Sequence, residues 1–312
     1  MPELPDLTVY QDALALRLVG QSLTAIRLRS PFVLRSVAPA ADELVARHVR
    51  AISRMAKQLV IELEGERFIV MHLMISGRLH WKARGARIAG KMDLAAFDFP
   101  DGTLTFTEAS QKKRASLHFV AGRAALAAFD PGGLEVLTMD AATFARAVAN
   151  SQHTLKRALT DQRVLAGIGN SYSDEILHRA QLSPFKHAGN LSAVEMSRLY
   201  AAVGDVLREW IERLRTVYAD RFPERVTAFR PEMAVHGKYR SPCPVCGAPV
   251  QRIVFAENEA NYCARCQTGS RLLQDRALSR LLKKNWPKDL DELEARQPRQ
   301  VTPLVPGGDS KL

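Results

Sequence analysis

The sequence has no apolar run approaching the roughly 20 residues that a membrane-spanning helix needs, which excludes such a helix from its organisation. Its opening, MPELPDLTVY, lacks the basic start and apolar middle of a secretory signal and the Arg/Ser-rich character of a transit peptide. A cytoplasmic location is therefore the default expectation. Cysteine is scarce, with four among 312 residues, and cytoplasmic thiols argue against disulfides. Acidic residues are in deficit, 33 against 44 Lys and Arg, for a formal net charge of +11. The positive excess is spread over both halves of the chain, which suits a surface facing a polyanion; solubility alone explains the charge equally well.

All four cysteines fall in one short stretch, as Cys243-Pro-Val-Cys246 and Cys263-Ala-Arg-Cys266, with sixteen residues between the pairs. Four thiolates on two tight knuckles close a tetrahedral shell around one Zn(II) ion. No position is left for a reactive water, so the metal is expected to be structural.

The apolar pattern divides the chain. Asp6 to Val19 reads as a helix stopped by Gly20. Strand-like runs follow at 22–34, 52–63, 68–81 and 94–106, broken by Glu64-Gly65-Glu66 and Pro100-Asp101-Gly102, with another strand at 117–120. From Ala141 the spacing turns helical, over 141–149, 154–159, 171–180 and 193–214. The expected fold class is α+β: an N-terminal β-sandwich with flanking helices over 1–130, then a helical domain over 131–234. A zinc ribbon over 235–267, a helical extension over 268–296 and a disordered tail over 297–312 complete it. Asp130-Pro-Gly-Gly133 reads as flexible punctuation beside a cleft in which DNA can lie.

Several residues carry chemistry. Removal of Met1 would expose the secondary amine of Pro2, and an α-amino group, with a reference pKa of about 7.7 to 8.0, is far less basic than lysine. Glu3 beside it can move protons. Lys57 is a lone lysine in an otherwise apolar run read as one buried strand, and either snorkels at a strand edge or reaches a partner such as phosphate or a sugar oxygen. Gly167-Ile-Gly169-Asn170-Ser-Tyr172 is a glycine-bearing turn with no strand before it that leads straight into a helix. Its free amides can hold a phosphate, to which Asn170 can add its side chain. Lys112, Lys113 and Arg114, like Lys283 and Lys284, can neutralise phosphates.

Taken in order, Met-Pro2-Glu3-Leu-Pro, Arg-Met-Ala-Lys57, His72-Leu-Met74-Ile-Ser76-Gly77, Gly167-Ile-Gly169-Asn170-Ser-Tyr172 and the cysteine ribbon resemble the formamidopyrimidine-DNA glycosylase / endonuclease VIII family. The resemblance covers about residues 1 to 267. It implies a helix-two-turn-helix unit near 167–180 and a bifunctional base-excision enzyme that acts on DNA carrying damaged bases or abasic sites. Pro2 would be the Schiff-base nucleophile, Glu3 the acid/base and Lys57 a contact to phosphate and sugar. Gly169, Asn170, Tyr172 and the ribbon would grip the backbone, and Met74 would fill the gap left by a flipped nucleotide. Glu175 would support the N-terminal part of the site. A monomer, nucleoid-associated, is expected.

The sequence also departs from the family pattern. Where the family carries a loop with an arginine and an aromatic wedge, this chain has Thr107-Glu108-Ala-Ser-Gln111-Lys112-Lys113-Arg114-Ala115, with no aromatic. Asn258 stands where the ribbon hairpin usually offers an arginine, flanked by Glu257 and Glu259. Asp6 replaces a commoner glutamate, and His153 stands near an expected phosphate-binding lysine. Single-stranded or distorted DNA thus becomes a plausible substrate. The rival readings are a protein that only cleaves abasic sites or binds damaged DNA without excision, and a zinc-ribbon scaffold. The extension around Leu272, Leu273, Leu278, Leu281 and Leu282 reads as an amphipathic helix, 272–284, that docks on its own chain or on a partner. Lys283, Lys284 and Trp286 offer an alternative contact to DNA.

Overall fold

A computed structural model of the chain describes residues 1–255, 258–274, 280–281 and 285–296. The opening helix α1 (Leu4–Leu18) starts with Pro5 in its first turn, where the missing N–H costs nothing. The strands β1 (Ala25–Leu28), β2 (Val49–Met55), β3 (Gln58–Leu63), β4 (Arg67–His72), β5 (Gly77–Lys82), β6 (Asp93–Phe99), β7 (Gly102–Glu108) and β8 (Ser116–Ala121) follow. They form two antiparallel four-stranded sheets, ordered β1-β6-β7-β5 and β2-β3-β4-β8.

The sheets face each other across one core. Leu59, Ile61 and Leu63 of β3 meet Phe97, Leu104 and Phe106 of the opposite sheet, while Val60 points outward with Phe68, Val70 and Val120. This period of two is the sandwich signature expected from the sequence.

Two of the expected strands are in fact two strands each, the first a β2–β3 hairpin and the second a crossing from β4 in one sheet to β5 in the other. The run 52–63 folds back at Ala56-Lys57, pairing Met55 with Gln58, and Ala56 takes a φ of 48°. Lys57 therefore sits in a tight turn and not within a strand. The run 68–81 likewise breaks at Leu73-Met74-Ile75-Ser76, with Met74 at φ 51°. Neither turn contains the glycine, asparagine or proline that marks one in a sequence.

After the short α2 (Arg123–Ala127), the helical part comprises α3 (Ala141–Ala149), α4 (Leu155–Thr160), α5 (Asn170–Arg179) and the long α6 (Ala193–Tyr218) around a second core that includes Phe144, Leu159, Ile176, Leu207 and Trp210. A short strand, β10 (Leu165–Ala166), pairs with β9 (Leu134–Glu135) just ahead of the glycine turn, where no strand was expected. The linker is tight: a Cβ on Gly133 would lie 2.1 Å from the Gln162 carbonyl oxygen.

The ribbon hairpin β11 (Gln251–Phe255) and β12 (Asn258–Tyr262) leads into α7 (Ala264–Thr268) and packs through Val250, Ile253 and Tyr262 on a third core. Leu272 and Leu290, beyond the last cysteine, belong to that core. Of the helix expected at 272–284, residues 275–279 and 282–284 lie outside the described residues, as do Glu257 and the tail 297–312. No helix among the described residues is long and apolar enough to cross a membrane.

Candidate active site

The N-terminus is held where the two main domains meet. Leu4 donates its N–H to the Gly167 carbonyl at 2.9 Å and packs into the helical core, whereas Leu7 and Tyr10, next along α1, pack into the sandwich core. The first turn of α1 thus staples the two domains together, with Pro2 and Glu3 buried at the joint.

The Glu3 carboxylate accepts three backbone hydrogen bonds, from Gly169 at 2.7 Å, Ser171 at 2.8 Å and Tyr172 at 3.2 Å. These amides open α5, where the helix dipole favours negative charge. The turn was expected to offer free amides to a phosphate; instead Glu3 occupies those of Gly169 and Tyr172. The Tyr172 side chain is only 1% exposed and lies edge-on to Trp210, so as placed here it offers DNA no surface. Asn170 is half-buried at the helix start, and its carbonyl oxygen accepts from Lys156 Nζ at 2.6 Å.

Lys57 approaches from the β2–β3 turn. A Cβ on Gly169 would fall 2.5 Å from Glu3 Cδ and 2.7 Å from Lys57 Nζ, so both side chains converge on the space a glycine leaves. Burial lowers the Lys57 pKa; the Glu3 carboxylate opposes that shift and Lys156 adds to it. The α-amino group at Met1 is also lowered, chiefly by burial, with Arg78 and Lys57 contributing against the pull of Glu3 and Asp6. Met74 is half-buried in the neighbouring turn, where its N–H donates to His72 Nδ1 at 3.1 Å.

Supporting residues that carried no assigned role in the sequence surround this centre. Asp6 Oδ2 accepts the Glu3 N–H at 3.0 Å, and its Oδ1 pairs with Arg230 at 2.8 Å. Arg54 donates to the Ala56 carbonyl at 2.6 Å, bracing the Lys57 turn, and pairs with Glu135 across the domain boundary. Lys156 is buried against Asp174 at 2.6 Å. The pairings with Asp174, Glu135 and Arg230 are revealed only by proximity in space, because the partners lie 18, 81 and 224 positions apart in the chain.

The Glu175 carboxylate, expected to support the N-terminal part of the site, is engaged elsewhere. It accepts from the amides of Ala234, Val235 and His236 at 2.7 to 2.9 Å, and so fixes the chain at the entrance to the zinc ribbon. Lys112, Lys113 and Arg114 are exposed on a loop that folds over the buried Glu108, which accepts from the amides of Arg114 and Ala115.

The four cysteine sulfurs lie within 4.8 Å of one another, Cys246 to Cys263 at 3.4 Å and Cys243 to Cys266 at 3.9 Å. A tetrahedral site with Zn–S bonds of about 2.3 Å needs sulfurs about 3.8 Å apart. The set fits one structural zinc ion.

A sandwich joined at its own N-terminus to a helical unit, with a zinc ribbon behind, defines a DNA repair glycosylase of the helix-two-turn-helix class. Residues 1–120 match the formamidopyrimidine-DNA glycosylase N-terminal domain, 133–220 its H2TH domain, and 240–269 the zinc finger found in FPG and IleRS. The formamidopyrimidine-DNA glycosylase of Heliobacterium modesticaldum is 32% identical over 278 residues, covering 86% of this chain and all of the relative. An uncharacterised formamidopyrimidine-DNA glycosylase-like protein of Mycobacterium tuberculosis is 42% identical over 156 residues, covering 50% of this chain and 95% of its own. Among solved structures, the Lactococcus lactis Fpg bound to DNA with an abasic site has a TM-score of 0.76 at 25% identity, covering 85% of this chain and 99% of that one. The chain belongs to the formamidopyrimidine-DNA glycosylase family.

Proposed function

We propose that this protein is a bifunctional glycosylase and abasic-site lyase that acts through Pro2. The observation that carries the reading is the convergence of Glu3, Lys57 and the chain's α-amino end at the domain joint. Removal of Met1 leaves the Pro2 amine in the same buried surroundings, whose desolvation favours its neutral, nucleophilic form against the pull of Glu3 and Asp6.

The Pro2 nitrogen bonds to C1′ of the sugar as the bond to the damaged base breaks. The C1′–O4′ bond then opens as the ring oxygen takes a proton, leaving an iminium that draws electrons from C2′, so loss of a C2′ proton expels the 3′ phosphate, and a second elimination expels the 5′ phosphate. Glu3, accepting from three N–H groups, is placed to take a proton and then to pass it to the ring oxygen. Lys57 and Asn170 hold phosphate and sugar oxygens, and Met74 fills the space of the flipped nucleotide. The substrates are oxidised or ring-opened bases and abasic sites. A mutant of the Lactococcus lactis FPG resembling this chain was solved in complex with DNA containing Fapy-dG.

The loop over Glu108 presents three cations and no aromatic ring, which favours single-stranded or distorted DNA over a duplex that must be wedged open. The same observation favours the second reading, a protein that only cleaves abasic sites or binds damage.

Borohydride trapping tests both readings, on oxidised-purine, oxidised-pyrimidine and abasic oligonucleotides in single- and double-stranded form. Trapping on lesion DNA that Pro2→Gly abolishes, with Glu3→Gln blocking excision more than abasic-site cutting, is expected. Trapping on abasic DNA alone would favour the restricted lyase. Undiminished excision by both variants would overturn the mechanism.

A further inference from the structure

Helix α5 touches the candidate active site at one end and the zinc ribbon at the other. Its first amides hold Glu3. One turn on, Asp174 meets His236 Nδ1 at 2.8 Å and Asn261 Nδ2 at 3.4 Å, and Glu175 binds the three amides that lead into the ribbon. In the last turn, His178 Nε2 lies 3.3 Å from Cys243 Sγ, and the His178 residue is only 6% exposed. A helix of ten residues is about 15 Å long and internally hydrogen-bonded, so a displacement at one end is carried to the other.

A zinc-bound thiolate offers only lone pairs. A ring nitrogen at hydrogen-bonding distance therefore contributes only if it carries hydrogen. We propose that His178 is a positioning residue of the zinc centre, donating Nε2–H to the Cys243 sulfur, and that α5 links metal occupancy to the amides holding Glu3. The cysteine spacing gives no hint of this partner, which comes from another domain. Such outer contacts orient the ligand and temper its charge, and their loss typically lowers metal affinity about 10- to 100-fold. The inference rests on the fit of the cysteines to zinc and on the position of Glu3, not on the reaction assigned to Pro2.

Two measurements on the full-length, zinc-loaded protein test it. Zinc release to a chromogenic chelator should be at least about tenfold faster in His178→Phe, while His178→Gln, which keeps an N–H donor, should recover much of the loss. Hydrogen exchange in the unaltered protein should show faster exchange at the Ser171 and Tyr172 amides once zinc is stripped. This second measurement needs no variant. Unchanged release from His178→Phe would overturn the role of the histidine. Identical exchange at Ser171 and Tyr172 with and without metal, while the ribbon amides exchange faster, would overturn the link. Neither readout depends on catalysis, so failure of the Pro2 mechanism would leave both results standing.

Discussion

Gly169 has no side chain of its own, yet it sets the spacing of the site, because a single added carbon would collide with both Glu3 and Lys57. Its φ of −132° is ordinary extended backbone, so space alone demands glycine here. Gly169→Ala is expected to reduce abasic-site cutting by about 100-fold, the cost of displacing a reacting group by about 1 Å. Its melting temperature should change little. Comparing cutting rates and melting curves checks this, and near-normal cutting would show that Glu3 and Lys57 need not share that space. His72 provides a pH-dependent counterpart. Burial, reinforced by Lys57 and the N-terminal amine, lowers its pKa from 6.5 to about 4, and its Nδ1 accepts from Met74. Between those values the unfolded chain binds the extra proton and the folded chain does not, so stability falls as pH drops from 7 to 4. The loss is at most about 3 kcal/mol. Urea unfolding across that range should show a shallower pH slope for His72→Gln, which keeps an acceptor for Met74; equal slopes would count against the shift. The cysteines were legible because their chemistry lies in residue type and local spacing, whereas Pro2 and Glu3 stood out as candidates only together with the other motifs in order. Asp6 and Lys156 act through distant partners, which no local pattern shows.

At the scale of elements, Lys57 and Met74 were mislaid for one physical reason. Both occupy turns built on non-glycine residues with positive φ, a conformation costing roughly 1 to 2 kcal/mol that leaves no mark in composition. The neighbouring apolar residues then read as continuous strands. The helices were read closely, at 141–149 and 193–214, because their apolar spacing continues for several turns. The chain between α6 and the ribbon, 219–234, was read only as part of the helical domain. In the structure it crosses back to the sandwich, where Val226 enters the core, Phe222 packs near Tyr10 with ring centres 5.9 Å apart, and Arg230 pairs with the buried Asp6. Removing Arg230 strands a carboxylate whose pKa burial already raises against the arginine's pull. Arg230→Ala should cost about 3 to 5 kcal/mol, the range for breaking a buried pair. Asp6→Asn should relieve much of that loss in the double variant. A double-mutant cycle by urea unfolding reads the coupling, and a value below about 0.5 kcal/mol would mean that the two side chains act independently.

For the whole molecule, a net charge of +11 matters by where it faces. Many arginines are already engaged, such as Arg27 with Asp98 and Arg215 with Asp12, and so contribute little to a phosphate-binding surface. Lys112 is exposed on the loop over Glu108, whose partner Ser76 follows the Met74 turn. Lys82 is equally exposed but lies at the other end of β5, about 17 Å from Gly77 at the usual rise per strand residue. The two lysines are matched in charge and differ in place. If DNA lies across the Met74 end, each phosphate contact there contributes about −0.9 to the slope of log affinity against log salt on duplex, or about −0.7 on single strands. Lys112→Ala should therefore flatten the slope by nearly one contact, whereas Lys82→Ala should leave it unchanged. Fluorescence anisotropy on abasic-site oligonucleotides from 50 to about 200 mM salt resolves the difference. Equal flattening by both variants would mean that the charge acts as a diffuse field over the whole surface, and the placement of DNA at the domain joint would then have to rest on chemistry alone.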